Sequence, residues 1–239
     1  QGFGWHEERK MDWHRKGGAM KILIACETSG IVREAFLAAG HNAWSCDILK
    51  SDKPTNRHIQ DDVRNVLTMD DWDMLMVAHP PCTRLCLSGA RWYKVPPPGK
   101  TLEQMEQELT DGCQLLSDLW NADVPRIAIE NPVMLSVARK KIQEISDREF
   151  PWNPTQYVQP YEFAESIDAE DNITKKTSLW LKNLPPLIPT GTLTKETARD
   201  DIHKATPGPD RWKIRSKFHH GMAKAMAEQW GGNLNKEAA

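Results

Sequence analysis

Two short segments hold the side chains best able to do chemistry. His79-Pro80-Pro81-Cys82 follows the apolar run 74–78, and Glu130-Asn131-Pro132 follows the apolar run 126–129. Apolar runs this short read as buried strands, so a thiol and a carboxyl are delivered at the ends of two strands. A thiolate can add to an electron-poor ring carbon. A carboxyl in its acid form can hydrogen-bond a ring nitrogen and draw electrons from the carbon under attack. A pyrimidine ring presents both targets. Addition requires the sulfur to stand over one carbon, and Pro80 and Pro81 supply stiffness by fixing their own φ and restricting the residues before them. Pro132 likewise biases Asn131 toward an extended backbone. A lone cysteine is more often a small core residue. Cys82 differs in following two prolines and in opening a loop, Thr83 to Gly99, that contains Gly and Ser. Glu130 has the plainer alternative of an ordinary surface glutamate; inside a pocket its carboxyl would have a shifted pKa.

Upstream, Lys21-Ile-Leu-Ile-Ala-Cys-Glu-Thr-Ser-Gly30 reads as a strand, a tight turn and a helix start. Cys26, Glu27, Thr28, Ser29 and Gly30 are a candidate cofactor cradle at a helix N-terminus, although with one glycine the motif is weak. Asp47 ends the next strand, where an acid can hold ribose hydroxyls, and Ile48 follows it. Asp62, with Val63 behind it, offers an acceptor for an exocyclic amine. Each acid has a helix cap or a turn as its alternative. Pro80 completes the cofactor-side set. Candidate substrate contacts are Thr83, Ser88 and Arg91 in the loop after Cys82, and Lys175, Lys176 and Thr177 ahead of a late strand.

The elements that must position these residues alternate from Met20 onward. Residues 21–26 read as a strand, 31–39 as a helix stopped by Gly40, and 42–47 as a strand. A polar segment follows, then a short helix at 63–68 and the strand ending at Ala78. Leu102, Met105, Leu109, Cys113, Leu116 and Trp120 recur every three or four residues, which marks a long amphipathic helix. Strand 126–129 and helix 133–146 close this half. Such alternation predicts an α/β fold, a parallel sheet with helices on both faces. Ligands in these sheets bind beyond the carboxyl ends of the strands, and residues 25–30, Asp47, Asp62, Cys82 and Glu130 all fall there. From Phe150 to about Pro209 prolines are frequent and one strand stands out, 177–181. Residues 218–230 read as a helix with Met222, Ala225, Met226 and Trp230 on one face. The expected organisation is a leader or upstream extension at 1–19, a cofactor-binding and catalytic core at 20–150, a small recognition-side subdomain at 151–215, and a closing helix and tail at 216–239.

A chain of 239 residues can bury a core and suits one domain. Its net charge of −2 excludes nucleic-acid binding through overall charge, yet residues 172–239 hold twelve Lys/Arg against six Asp/Glu. That excess suits a phosphate-facing surface or a solvated face with scattered lysines. Five cysteines without scaffold-like spacing argue for free thiols in a reducing compartment. No apolar run approaches membrane-spanning length, so a cytoplasmic protein with no membrane partner is expected. His79, Cys82 and Cys86, joined by His203, His219 or His220, invite a zinc reading. There is no Cys-x-x-Cys pair and the spacing is not that of a zinc module, so no metal is expected.

On these residues the chain resembles the cytosine-C5 DNA methyltransferases, especially short members encoded by bacteriophages and prophages that lack a large target-recognition domain. The resemblance runs from Met20 to about Gly231. Residues 25–30 resemble the family's S-adenosylmethionine loop, with the usual Phe-x-Gly-x-Gly mostly absent. Asp47 and Asp62 fall where the family keeps its ribose-binding and adenine-binding acids. Pro80-Pro81-Cys82 is similar to the nucleophile motif, with Thr83 where many have glutamine, and Glu130-Asn131-Pro132 to Glu-Asn-Val. Lys175-Lys176-Thr177 stands where the family carries Gln-x-Arg-x-Arg, so the arginines are unmatched. Residues 216–230 resemble the closing helix, with Arg215-Ser216-Lys217 in place of its Gly-Asn opening.

The resemblance implies a Rossmann-like S-adenosylmethionine-dependent methyltransferase fold with a reduced second subdomain. It implies S-adenosyl-L-methionine as cofactor, DNA as partner, and DNA methylation by attack of Cys82 on carbon 6 of cytosine while Glu130 holds ring nitrogen 3. Restriction–modification, or phage self-protection from it, is the setting it suggests. Only 35 residues, 183–217, fill the place of the recognition domain, and reading the major groove needs an inserted element. Either specificity is minimal, a protein partner supplies it, or the substrate is a single strand or a free cytosine nucleotide. Residues 91–99 could stack on a base or touch phosphate, or form a proline-stiffened lid. A non-catalytic nucleic-acid-binding descendant is the remaining alternative, against which the presence of both Cys82 and Glu130 stands.

Overall fold

Residues 22–25 alternate as a strand buried on both faces must. Ile22 and Ile24 enter one half of the core and Leu23 and Ala25 the other, all fully buried. The same period of two continues in Met74 and Met76 against Leu75 and Val77, and in Ala128 against Ile127 and Ile129. In the computed structural model, which describes residues 18–87, 95–146, 150–200 and 217–232, these runs are central strands of one sheet.

The strands are β1 (Lys21–Ala25), β2 (Asn42–Asp47), β3 (His58–Gln60), β4 (Met74–Val77), β5 (Arg126–Pro132), β6 (Gln156–Val158) and β7 (Thr177–Lys182). They form a seven-stranded sheet in the order β3-β2-β1-β4-β5-β7-β6. The first five are mutually parallel. β7 runs antiparallel to both β5 and β6. The sheet is therefore mostly parallel, the α/β class expected, and its strand order reverses outside β1 and β4 in the Rossmann-like manner. β6 and β7 come from the stretch after residue 150 and are hydrogen-bonded into this same sheet.

Helices cover both faces. α1 (Ile31–Ala38) and α5 (His220–Gly231) pack side by side over Ile22, Ile24, Met76 and Leu179, through Val32, Phe36, Met222, Met226 and Trp230. On the other face, α2 (Val63–Leu67), α3 (Leu102–Trp120) and α4 (Ser136–Ile145) cover Leu23, Leu75, Ile127 and Trp180. α3 starts in a capping box in which Thr101 accepts from the Gln104 N–H and Gln104 reaches back to the Thr101 N–H. No helix among the described residues is long and apolar enough to cross a membrane.

Most boundaries shift by one residue, the last helix begins at His220 where 218 was expected, and three differences bear on the site. The first strand stops at Ala25, because Cys26 turns to φ 56°. The strand at 126–129 runs on to Pro132, because β7 pairs with Glu130, Asn131 and Pro132. The helix expected from 133 begins at Ser136, because residues 133–135 are hydrogen-bonded to the turn after Cys82. β3 and β6 went unread: each is three residues long and neither carries an apolar run.

Trp230 is fully buried and its indole N–H donates to the Pro185 carbonyl at 2.9 Å. Trp230→Ala is expected to lower the unfolding free energy by about 3–5 kcal/mol, measured by urea denaturation. A loss below about 1 kcal/mol would show that α5 is not docked on α1 through this ring.

Candidate functional site

Cys82 is held by its own carbonyl. That oxygen accepts from the N–H groups of Leu85 (3.0 Å) and Cys86 (3.1 Å) and from the Cys86 thiol (2.9 Å), so residues 82–86 form one helical turn. Leu87 N–H donates to Val133 O and Leu135 N–H to Leu85 O, which ties the turn to the chain leaving β5. Arg84, 5% exposed, pairs with Glu108 of α3 at 2.7 Å. Pro80 is buried, Pro81 and Thr83 are exposed, and Cys82 lies between.

Glu130 reaches the same place from β5. Its cross-strand partner is Leu179, and Thr177 lies diagonally across on the same face. The carboxyl is 3% exposed. Burial pushes its pKa up to about 7, against the nearby Lys175 charge and a hydrogen bond from Thr177. The Thr177 hydroxyl also lies 3.1 Å from the Lys175 carbonyl. The Cys82 thiol is held well above its ordinary range by contact with Cys86, by burial and by Glu130, while Lys175 acts the other way. The resting arrangement is thus a protonated thiol, a carboxyl that holds a proton near neutrality, and one cation beside both. It can donate a proton to a base that enters it, and its sulfur is stiffly aimed.

On the β1 side, Gly30 is the N-cap of α1 at φ 73°. A Cβ there would stand 2.3 Å from Nη2 of Arg33. Arg33 is itself buried and donates to Ser45 Oγ at 2.6 Å. Glu27 is fully buried and turned inward. It accepts from the N–H groups of Val32 (2.7 Å) and Arg33 (3.2 Å) and from the Ser29 hydroxyl (3.3 Å), and burial pushes its pKa up to about 7. Its place in the cofactor set is corrected: it anchors the start of α1. Thr28 hydrogen-bonds Asp52 at 3.2 Å. Asp47 accepts from Leu49 N–H at 2.9 Å and burial raises its pKa. Ile48 beside it is 70% exposed, an apolar side chain next to a carboxyl at the carboxyl edge of the sheet. Asp62 caps α2 by accepting from Arg64 N–H, and both its oxygens engage the Arg64 guanidinium, which lowers its pKa. Val63 is a core residue, 6% exposed, so its side chain faces no ligand.

Two further expectations change. Asn131 faces away from Cys82, because a strand alternates and Glu130 takes the site side; its amide donates to the Pro132 carbonyl at 2.8 Å. Lys176 is turned onto the Tyr157 ring, 4.3 Å from its centroid, whereas Lys175 Nζ donates to the Lys217 carbonyl at 3.4 Å and its charge is the one of the pair that acts on Cys82 and Glu130. Ser88 and Arg91 lie outside the described residues, as do residues 1–17 of the expected leader and 201–216. Among the described residues no group of three His, Cys, Asp or Glu side chains is placed to hold a metal. The sequence reading passed over Cys86 as a partner of Cys82, and over His79 and His219 except as metal ligands. Adjacency to Pro80 marked His79; nothing local marked Asp171, which sits 3.3 Å from His219.

No family model and no curated relative matches the chain. It is similar to a solved structure from E. coli described, provisionally, as a DNA modification methyltransferase encoded within a prophage. The TM-score is 0.42 and the identity 13%, over 68% of this chain and 46% of that one. The chain therefore spans less than half the length of that protein, and its chemistry has to be read from its own residues.

Because the folded-state pKa of Glu130 is raised from 4.5 to about 7, the folded protein binds this proton more tightly than the unfolded chain. The stability this contributes is fully present below about pH 4.5 and is lost as pH rises through 7. Glu130→Gln removes the titration. Its unfolding free energy relative to the natural protein is expected to rise by on the order of 2 kcal/mol between about pH 5 and pH 8, measured by urea denaturation at each pH. A pH-independent difference would show that the carboxyl is not buried as described.

Proposed function

We propose that this protein is an S-adenosyl-L-methionine-dependent methyltransferase that adds a methyl group to carbon 5 of cytosine in DNA through a covalent bond from Cys82 to carbon 6. The observation that carries the reading is the convergence of Cys82, Glu130 and Lys175 from β4, β5 and the start of β7, at the carboxyl edge of a Rossmann-like sheet. The cofactor fits the neighbouring edge. The loop 26–30, the Asp47 carboxyl and the exposed Ile48 side chain offer backbone groups, a hydroxyl acceptor and an apolar face for an adenosine. When bound there, S-adenosyl-L-methionine supplies an electrophilic methyl.

The residues divide the chemistry as follows. Cys82 gives up its proton to solvent, its thiolate favoured by Lys175, and the sulfur bonds to carbon 6. Glu130 donates its proton to ring nitrogen 3, so the electron pair of the 5,6 double bond is available at carbon 5. Carbon 5 takes the methyl. Loss of the carbon-5 hydrogen as a proton restores the double bond and expels the Cys82 thiolate, and nitrogen 3 returns its proton to Glu130. Duplex DNA requires the cytosine to leave the stack. Single-stranded DNA is the second substrate in this reading: the exposed Tyr157 ring with Lys176 over it, on the outermost strand of the sheet, suits a stacked base. A protein partner could supply sequence specificity, and DNA modification in a bacterial cytoplasm is the setting.

The test is transfer of labelled methyl from S-adenosyl-L-methionine to duplex DNA, single-stranded DNA and free cytosine nucleotides. Label is expected in 5-methylcytosine of DNA and is expected to fall by at least about 10³-fold in Cys82→Ala. Label in nucleotides alone would move the substrate. Folded protein that binds the cofactor yet transfers nothing to any of the three would overturn the reading.

A further inference from the structure

Two imidazoles border this site and have no part in the steps above. His79 immediately precedes the Pro80-Pro81-Cys82 turn, and its ring packs edge-on against Phe218, 5.6 Å between centroids. His219, next in the chain after Phe218, is the N-cap of α5 and is 5% exposed. Its Nδ1 lies 3.3 Å from Asp171 Oδ1, and the second Asp171 oxygen accepts from the Gly221 N–H at 2.5 Å. Nε2 of His79 and Nε2 of His219 are both buried and have no hydrogen-bond partner among the described residues. Buried polar atoms are seldom left so. Phe218 joins the two rings, packed on His79 and adjacent in the chain to His219, and Lys175 Nζ donates to the Lys217 carbonyl at 3.4 Å, which gathers both imidazoles beside Lys175 and the Cys82 turn; the Lys175 charge acts on both rings and on Cys82 and Glu130.

The two rings are not equivalent. Donation from His219 Nδ1–H to Asp171 fixes the tautomer, leaves a lone pair on Nε2, and provides a carboxylate to stabilise the imidazolium. His79 has no such carboxylate. Burial, Lys175 and His219 push its pKa down to about 3. Burial and Lys175 also lower His219, while Asp171 and Glu170 raise it. His219 is the ring better able to hold a proton.

The proposed reaction releases one proton per turnover, the hydrogen on carbon 5. At that moment Cys82 is bonded to carbon 6, Glu130 is engaged at nitrogen 3, and Lys175 is a donor only, with no lone pair to take a proton. We propose that His219, oriented by Asp171, is the base that takes the carbon-5 proton at Nε2, directly or across one water. The C–H bond breaks and its pair forms the 5,6 double bond. The carbon–sulfur bond breaks, its pair returns to Cys82, and the proton rests on an imidazolium paired with Asp171 until product leaves. This rests on the proposed function.

His219→Asn keeps a donor for Asp171 and removes the base; His219→Gln is the second variant should the first fail to fold. With a cytosine oligonucleotide and labelled S-adenosyl-L-methionine, methyl transfer should persist in a single turnover while elimination slows. A Cys82–DNA adduct carrying the label should then accumulate on a denaturing gel, turnover should fall roughly 10²–10⁴-fold, and deuterium at carbon 5 should slow the variant further. His79→Gln should accumulate no adduct. Unchanged turnover in His219→Asn, or lost turnover without an adduct, would overturn the assignment. The natural protein is run in parallel on DNA containing 5-fluorocytosine, whose carbon–fluorine bond cannot release a cation, so the adduct should be trapped. Absence of that trapped adduct would sink the covalent mechanism itself; its presence with an unaffected His219→Asn would sink His219 alone.

Discussion

The antiparallel pairing of β5 with β7 is the constraint on which the site depends. Residues Ile127 to Pro132 are in register with Lys182 to Thr177. That pairing extends β5 past its apolar run and satisfies the backbone where the carboxyl edge of a parallel sheet would otherwise be open. Alternation then does the rest. Glu130, Thr177 and Leu179 share one face, while Asn131, Ser178 and Trp180 share the other. β7 also carries β6 on its outer side and draws the preceding chain in. Lys175 N–H is fixed by the Gln159 side chain at 2.9 Å, and Trp180 Nε1 by the Pro151 carbonyl at 3.1 Å. A slip of one residue would exchange Glu130 for Asn131 and dismantle the pairing of acid with thiol.

Within that frame the electrostatics are set by a shortage of cations. A thiol, a carboxyl and two imidazoles surround Lys175, and burial works against charge on each of them. Neutral forms are therefore favoured until a substrate rearranges the contacts. Such a site holds its protons at rest and is able to release them to a bound base.

The β1 edge is built unlike a glycine-rich loop. Glu27 and Ser29 already occupy the first free N–H groups of α1: Ser29 Oγ accepts from Ile31 N–H at 3.3 Å, and Glu27 accepts from the two that follow. A helix start satisfied from inside offers less to an anionic ligand. It leaves Asp47, Ile48 and the loop backbone as the groups open at this edge.

Much of this was legible in the residues. Period-two burial in 22–25 and 74–77, the three-to-four spacing along 102–120, and the capping of apolar runs by Pro-Pro-Cys and Glu-Asn-Pro depend on neighbours close in the chain, and local periodicity records them directly. β3 and β6 were not legible, because strands of three residues at a sheet edge are made by pairing and not by their own propensity. The separation of Lys175 from Lys176, and of Glu130 from Asn131, follows from strand alternation once β7 exists. The inward turn of Glu27, the capture of Asp62 by Arg64 and the pairing of Asp171 with His219 needed side-chain geometry. The sequence by itself determined which groups are available and that they gather at the carboxyl edge of a mostly parallel sheet. Tertiary structure alone decided which of them face one another, because pairings between residues some fifty positions apart, such as Glu130 with Leu179 and Asp171 with His219, leave no periodic trace in the chain.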